Sequence, residues 1–104
     1  MNDFGFTSEI KEKILAILRN HAAIQKSVIF GSRARNTHKI GSDVDIAIWQ
    51  KPGSNALAKI KADFEESSLP YFFDVLDYRT IANEKLKQEI DHDGKIFYIK
   101  EDSQ

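Results

Sequence analysis

The chain has no cysteine among its 104 residues, which excludes a disulfide framework and any thiolate metal site. No apolar run approaches the ~20 residues of a membrane span, and the opening MNDFGFTSEIKEK lacks the apolar core of a signal peptide. The cytoplasm is the expected location. Prolines number only two, and there is no repeat, no low-complexity segment and no linker long enough to divide domains. Residues 1–104 are therefore expected to form one domain around a single modest core. A net charge of −1 leaves no basic excess, which argues against a general nucleic-acid binder. One absence is local. From Lys13 to Ser42 there is no acidic residue, while Lys13, Arg19, Lys26, Arg33, Arg35 and Lys39 are basic; from Asp43 onward eight basic residues face thirteen acidic ones. That boundary suits solvated helix faces, or a site that places cations for phosphate beside carboxylates for a metal.

What is present is regular. Thr7 or Ser8 can cap a helix running to about Asn20, with Ile10, Ile14, Leu15, Ile17 and Leu18 as its apolar stripe. Ser27 to Phe30 reads as a short buried strand ending in Gly31, and Ser32 to Asn36 as one or two helical turns. Val44, Ile46 and Ile48 alternate with Asp45, Ala47 and Trp49, a strand with two distinct faces, which Pro52-Gly53 ends. A second amphipathic helix spans Ala56 to about Ser67, and Pro70 separates it from a third strand, Tyr71 to Tyr78. Asn83 can cap a helix through Ile90; an Asp-His-Asp-Gly turn then leads to an edge strand over Ile96 to Ile99. The order predicts an α/β two-layer fold around a small mixed sheet.

The chemistry gathers in "IFGSRARNTHKIGSDVDIAIWQ", residues 29 to 50. Asp43 and Asp45 lie two apart, so in a strand they share a face with α-carbons about 6.6 Å apart. Two such carboxylates repel unless a cation sits between them. Magnesium is the natural ion, being hard and bound by one or two carboxylates plus substrate phosphates; a solvated pair at a strand end is the alternative. Asp74 stands inside the apolar run Tyr71 to Leu76, where an ionised carboxylate is costly unless paired or metal-bound. On the same face as the other two it would complete a set able to hold two magnesium ions about 3.5–4 Å apart. Otherwise it would need a salt bridge. Asp77, of opposite parity, is expected at the surface. Gly31-Ser32, closing a strand and opening a short helix, offers backbone N–H groups and a hydroxyl to an anion.

Gly-Ser, ten intervening residues, then Asp-x-Asp on a strand resembles the signature of the polymerase-β-like nucleotidyltransferase superfamily. "GSRARNTHKIGSDVDIAI", with Asp74 and the closing "HDGKIFYI", is most similar to its minimal nucleotidyltransferase (MNT) branch. The resemblance implies the two-layer nucleotidyltransferase fold, with helices mainly on one face of the sheet. It implies metal-dependent transfer of a nucleoside monophosphate, usually AMP from ATP, to an acceptor hydroxyl. Gly31 and Ser32 would hold the triphosphate, Asp43 and Asp45 would bind both metals, and Asp74 would bind the catalytic metal and help activate the acceptor. Arg33, Arg35 and Lys39 could neutralise phosphate oxygens or lie on a solvated helix face, and Ser42 could cap or contact phosphate. Asn36 stands where the branch often has Gly, and Asn tolerates a left-handed backbone. Trp49 could stack a base or pack inside; His38 reads as a surface residue.

Larger relatives carry an acceptor-gripping domain, and after Asp74 only about 30 residues remain here. The branch pairs with a separate helical HEPN-type chain, whose tyrosine it can adenylylate as the antitoxin of a toxin–antitoxin pair. Phe4, Phe6, Tyr71, Phe72, Phe97 and Tyr98 offer apolar surface for such a partner. Three functions follow: an active nucleotidyltransferase, a non-catalytic antitoxin acting by occlusion, and a metal-dependent phosphodiesterase, which the Gly-Ser spacing suits less well.

Overall fold

The structure is a computed structural model describing residues 4–101. Thr7 caps the first helix, α1 (Ser8–Arg19), its hydroxyl accepting from the Ile10 N–H at 3.2 Å. Ile14 and Leu18 of its apolar stripe are fully buried. The chain then runs through β1 (Ile24–Phe30), the single turn α2 (Ser32–Arg35), β2 (Val44–Gln50), α3 (Ala56–Glu66), β3 (Phe73–Asp77), a 3-10 turn (Tyr78–Thr80), α4 (Glu84–Asp93) and β4 (Lys95–Ile99). Asn83 caps α4 as expected, its side chain accepting from the Leu86 N–H at 3.1 Å.

The sheet order is β3-β2-β1-β4. β1 lies antiparallel to both β2 and β4, while β2 and β3 are parallel, because α3 crosses over between them. One face carries Ile29, Val44, Ile46, Ile48 and Val75 against Ile14 and Leu18 of α1 and Ile60 and Phe64 of α3. The other carries Val28, Phe30 and Ala47 under Ile90 of α4. Covered on both sides, the middle of β2 is a run of buried residues rather than an alternating one. Its outer positions still alternate, and that alternation places Asp45 on the α4 side.

Four local expectations change. β1 starts at Ile24 rather than Ser27, with a register shift between Ile24 and Lys26 masking its polar first turn. Asp91, His92 and Asp93 are the last turn of α4 rather than a loop, Gly94 ending the helix with its N–H on the Ile90 carbonyl at 2.8 Å. Asp77 is buried, not at the surface: its carboxylate accepts from Gln50 Nε2 at 2.9 Å and from the Arg79 N–H at 3.0 Å, capping the 3-10 turn. Of the aromatics offered to a partner, Phe4 and Phe6 are core residues, and Tyr71, Phe97 and Tyr98 pack against that core. Phe72 is 67% exposed, and among the described residues the other large apolar side chains in solvent are Ile40, Ile96 and Ile99.

Candidate active site

Gly31 ends β1 with φ 74°, a region that only glycine enters freely. A β-carbon there would strike the Asp45 Oδ2. The space a side chain would occupy is thus held by the carboxylate, and the glycine lets strand β2 bring its acid against the elbow. The first N–H groups of α2, at Ser32 and Arg33, have no intrahelical partner, as at any helix start. Asn36 closes this turn in the left-handed conformation, φ 62° and ψ 33°. The loop that follows folds on itself, the Ser42 hydroxyl accepting from the Lys39 N–H at 2.8 Å.

Asp43 is exposed just before β2, Asp45 is half-buried one pleat further, and Asp74 is exposed on β3. The parallel register sets Asp74 directly beside Asp45, and paired residues of neighbouring strands share a face. Apolar neighbours do not bury Asp74, because Phe73 and Val75 point to the opposite side. None of the three carboxylates is in an ion pair among the described residues. Asp45 is pushed up to about 6, first by burial, then by Asp74, Asp43 and Glu89, against a smaller opposing pull from Arg35.

Among the described residues no three acidic, histidine or cysteine side chains close around a single point as a finished metal cage. The donor set nevertheless suits a magnesium ion: hard oxygens, mutually repelling and unpaired, on one edge of the sheet. Magnesium characteristically completes its shell with water and substrate phosphate rather than with an all-protein cage. A groove of about 400 Å³ lies on the outer side of β3, lined by Lys61, Phe64, Leu69, Phe72 and Asp74 among others.

Arg33 departs from its expected contact with the nucleotide. It is 2% exposed, and its guanidinium donates to the backbone carbonyls of Phe4, Ser42 and Asp43. Arg35 is half-exposed and turns to α4, 3.4 Å from Asp93 and 3.8 Å from Glu89. Trp49 is stacked on Tyr78 with ring centres 4.6 Å apart, and Lys26 Nζ lies over its ring at 4.4 Å, so it packs against its neighbours. His38 is half-buried, with Nδ1 unpaired. Glu89 and Arg35 both act on Asp45, and nothing in the local spacing announced the α4 residue.

The family model for polymerase beta, nucleotidyltransferase, matches residues 12–103. A Methanocaldococcus jannaschii protein named as a protein adenylyltransferase is 40% identical over 75 residues, 71% of this chain and 80% of the relative. MntA of Haemophilus influenzae, of the same named activity, is 34% identical over 84 residues, 73% and 72% of the two chains. A chain of a toxin–antitoxin crystal structure with AMP-PNP superposes with a TM-score of 0.70 at 28% identity, covering 86% of this chain and 73% of that one. A chain from the complex of a tri-AMPylated Shewanella oneidensis HEPN toxin with its MNT antitoxin gives 0.64 at 26%, covering 88% and 71%. With nearly its whole length matched, the chain belongs to the polymerase-β nucleotidyltransferase family.

Proposed function

We propose that this enzyme is a protein adenylyltransferase that moves AMP from ATP to a hydroxyl of a separate helical HEPN-type chain, as the antitoxin of a toxin–antitoxin pair. The observation that carries the reading is the register of Asp45 beside Asp74 with the Gly31 elbow against the same carboxylate. The two adenylyltransferase relatives supply the nucleotide and the class of acceptor, and the complex with a tri-AMPylated HEPN toxin supplies the partner. Members of the family are typically metal-dependent. Asp43, Asp45 and Asp74 would hold magnesium, two ions in the full complex. Bound there, magnesium would neutralise triphosphate oxygens and stabilise charge as pyrophosphate leaves.

The chain's own groups divide the remaining work. The backbone at Gly31 and Ser32 receives the triphosphate, with Ser42 at the end of the facing loop. Asp74, exposed on the outer strand beside the groove, takes the proton from the acceptor hydroxyl. The acceptor oxygen forms its bond to the α-phosphorus, and the α–β bridging oxygen departs with pyrophosphate. The acceptor comes from the partner, so residues 1–104 are read as one minimal catalytic domain working where ATP is made available, in the cytoplasm.

The test is co-purification with the helical partner, addition of ATP and magnesium, and intact-mass measurement of both chains. The expected result is one or more AMP units on the partner, absent with Asp45→Asn. If Asp45→Asn still silences the partner and the wild type leaves its mass unchanged, the protein acts by occlusion and the catalytic reading falls.

A further inference from the structure

We propose that Arg33 is a positioning residue for the acidic site: it fixes the backbone from which Asp43 and Asp74 project and does not touch the nucleotide. What the carboxylates do rests on the adenylyltransferase reading above; how they are held rests on geometry. Nη1 donates to the Phe4 carbonyl at 2.7 Å, Nη2 to the Ser42 carbonyl at 2.8 Å, and Nε to the Ser42 and Asp43 carbonyls at 3.3 Å each. The guanidinium carbon lies 4.6 Å from the Tyr71 ring centre and 5.1 Å from that of Phe6. A charge this deeply buried persists only where its donors are satisfied. Here carbonyl oxygens and ring faces satisfy them.

The Ser42, Asp43 and Tyr71 contacts lie close in sequence to the site. Asp43 gives its own carbonyl, and Ser42 precedes it. Tyr71 is three residues before Asp74, and the segment between them is tied to β2 by the Val44 N–H on the Phe72 carbonyl at 2.9 Å. Phe4 holds φ 60°, an unusual conformation for an aromatic residue, with its carbonyl engaged by the buried cation. One planar fork thus joins the N-terminal segment, the loop before β2 and the lead-in to β3. A lysine ammonium lacks that fork and cannot span these carbonyls.

The experiment uses the full chain with Arg33→Met, Arg33→Lys and, as a control for simple destabilisation, Ile14→Ala on the buried face of α1. Three quantities are read well below the melting points: Mn2+ affinity without partner, amide hydrogen exchange, and kcat and KM for ATP with partner. Arg33→Met should weaken Mn2+ binding and lower kcat by about 10–100-fold, the range for groups that orient metal ligands. Exchange should speed up at residues 40–45 beyond the rest of the molecule, and KM for ATP should stay within roughly 3-fold, since no ATP contact is removed. Arg33→Lys should fall between, and Ile14→Ala should leave affinity, kcat and the local exchange pattern at wild-type values. If Arg33→Met does not fold, Tyr71→Leu, which removes one ring wall, should show the same pattern at roughly 3-fold.

Arg33→Met behaving like Ile14→Ala in all three quantities would overturn the proposal. So would a KM for ATP raised roughly tenfold at unchanged kcat, which would make Arg33 a phosphate ligand. A wild type that neither binds Mn2+ nor transfers AMP would defeat the adenylyltransferase reading instead. The exchange at residues 40–45 would then still decide whether Arg33 clamps the loop.

Discussion

Asp45→Asn should make the metal-free protein more stable at pH 7.5, although it destroys the site. The carboxyl is pushed from 3.8 to about 6 by burial and by Asp74, Asp43 and Glu89. A raised carboxyl binds its proton more tightly in the folded state. Its stabilising contribution is therefore complete below 3.8 and is lost as pH rises through about 6. Just over two units at ~1.4 kcal/mol each would give about 3 kcal/mol. Since Asp45 is only half-buried, solvent screening reduces this to roughly 1–2 kcal/mol. For a domain of this size that is a rise of about 5–10 °C in melting temperature on substitution by the isosteric amide. At pH 4.5 the gain should shrink to about a third, because the folded wild type is then largely protonated. Thermal unfolding with EDTA at the two pH values measures it, and a repeat with excess magnesium should stabilise only the wild type. An amide variant no more stable than wild type at pH 7.5, or a gain that does not depend on pH, would refute the electrostatic account of this cluster.

Three further outcomes can be checked separately. Gly31→Ala forces a β-carbon into Asp45 at φ 74°, so stability should fall by ~1–3 kcal/mol and Mn2+ binding should weaken with it; an alanine variant with unchanged affinity would show that the elbow does not shape the site. Asp77→Ala leaves Gln50 and the Arg79 N–H without their buried acceptor, at a cost of roughly 1–3 kcal/mol by urea unfolding, with Mn2+ affinity untouched. Arg35→Ala removes a cation that pulls Asp45 down, so the Asp45 carboxyl should titrate above 6 when followed by NMR; an unmoved titration would mean that Arg35 is engaged wholly by Glu89 and Asp93.

Much of the fold was legible because its signals are local. Thr7 and Asn83 announce helix starts through side chains that reach only three residues ahead, and Val44 to Trp49 announce a strand through alternation. Asn36 could stand for glycine because a short polar side chain tolerates the left-handed turn it occupies. The partnership of Asp45 with Asp74 was legible only as a possibility, since parallel register is set by how α3 crosses over. The misplacements share one cause. Arg33 was expected on phosphate or a solvated helix face, and Asp77 at the surface, because a lone sequence cannot show acceptors and donors that lie 29 and 27 residues away, at Phe4 and Gln50. Phe4 and Phe6 were offered to a partner for the same reason: both fill the core, Phe6 walling the buried guanidinium with Tyr71 and Phe4 giving it a carbonyl.

The two arginines nearest the motif explain why the acids stand uncompensated. Arg33 faces inward onto carbonyls, and Arg35 is drawn to Glu89 and Asp93 on α4. Neither forms an ion pair with Asp43, Asp45 or Asp74, and Arg35 offsets the raised Asp45 carboxyl only in part, so a cation from solution would be favoured there. A cation that binds the folded cluster and not the unfolded chain stabilises the fold by RT ln(1 + c/Kd) at free concentration c, growing with the logarithm of c above Kd. On the adenylyltransferase reading, metal loading and folding would therefore be coupled through Asp45. The same crowding that raises the Asp45 carboxyl would favour a divalent ion there, while the Arg33 fork holds the backbone leading to Asp43.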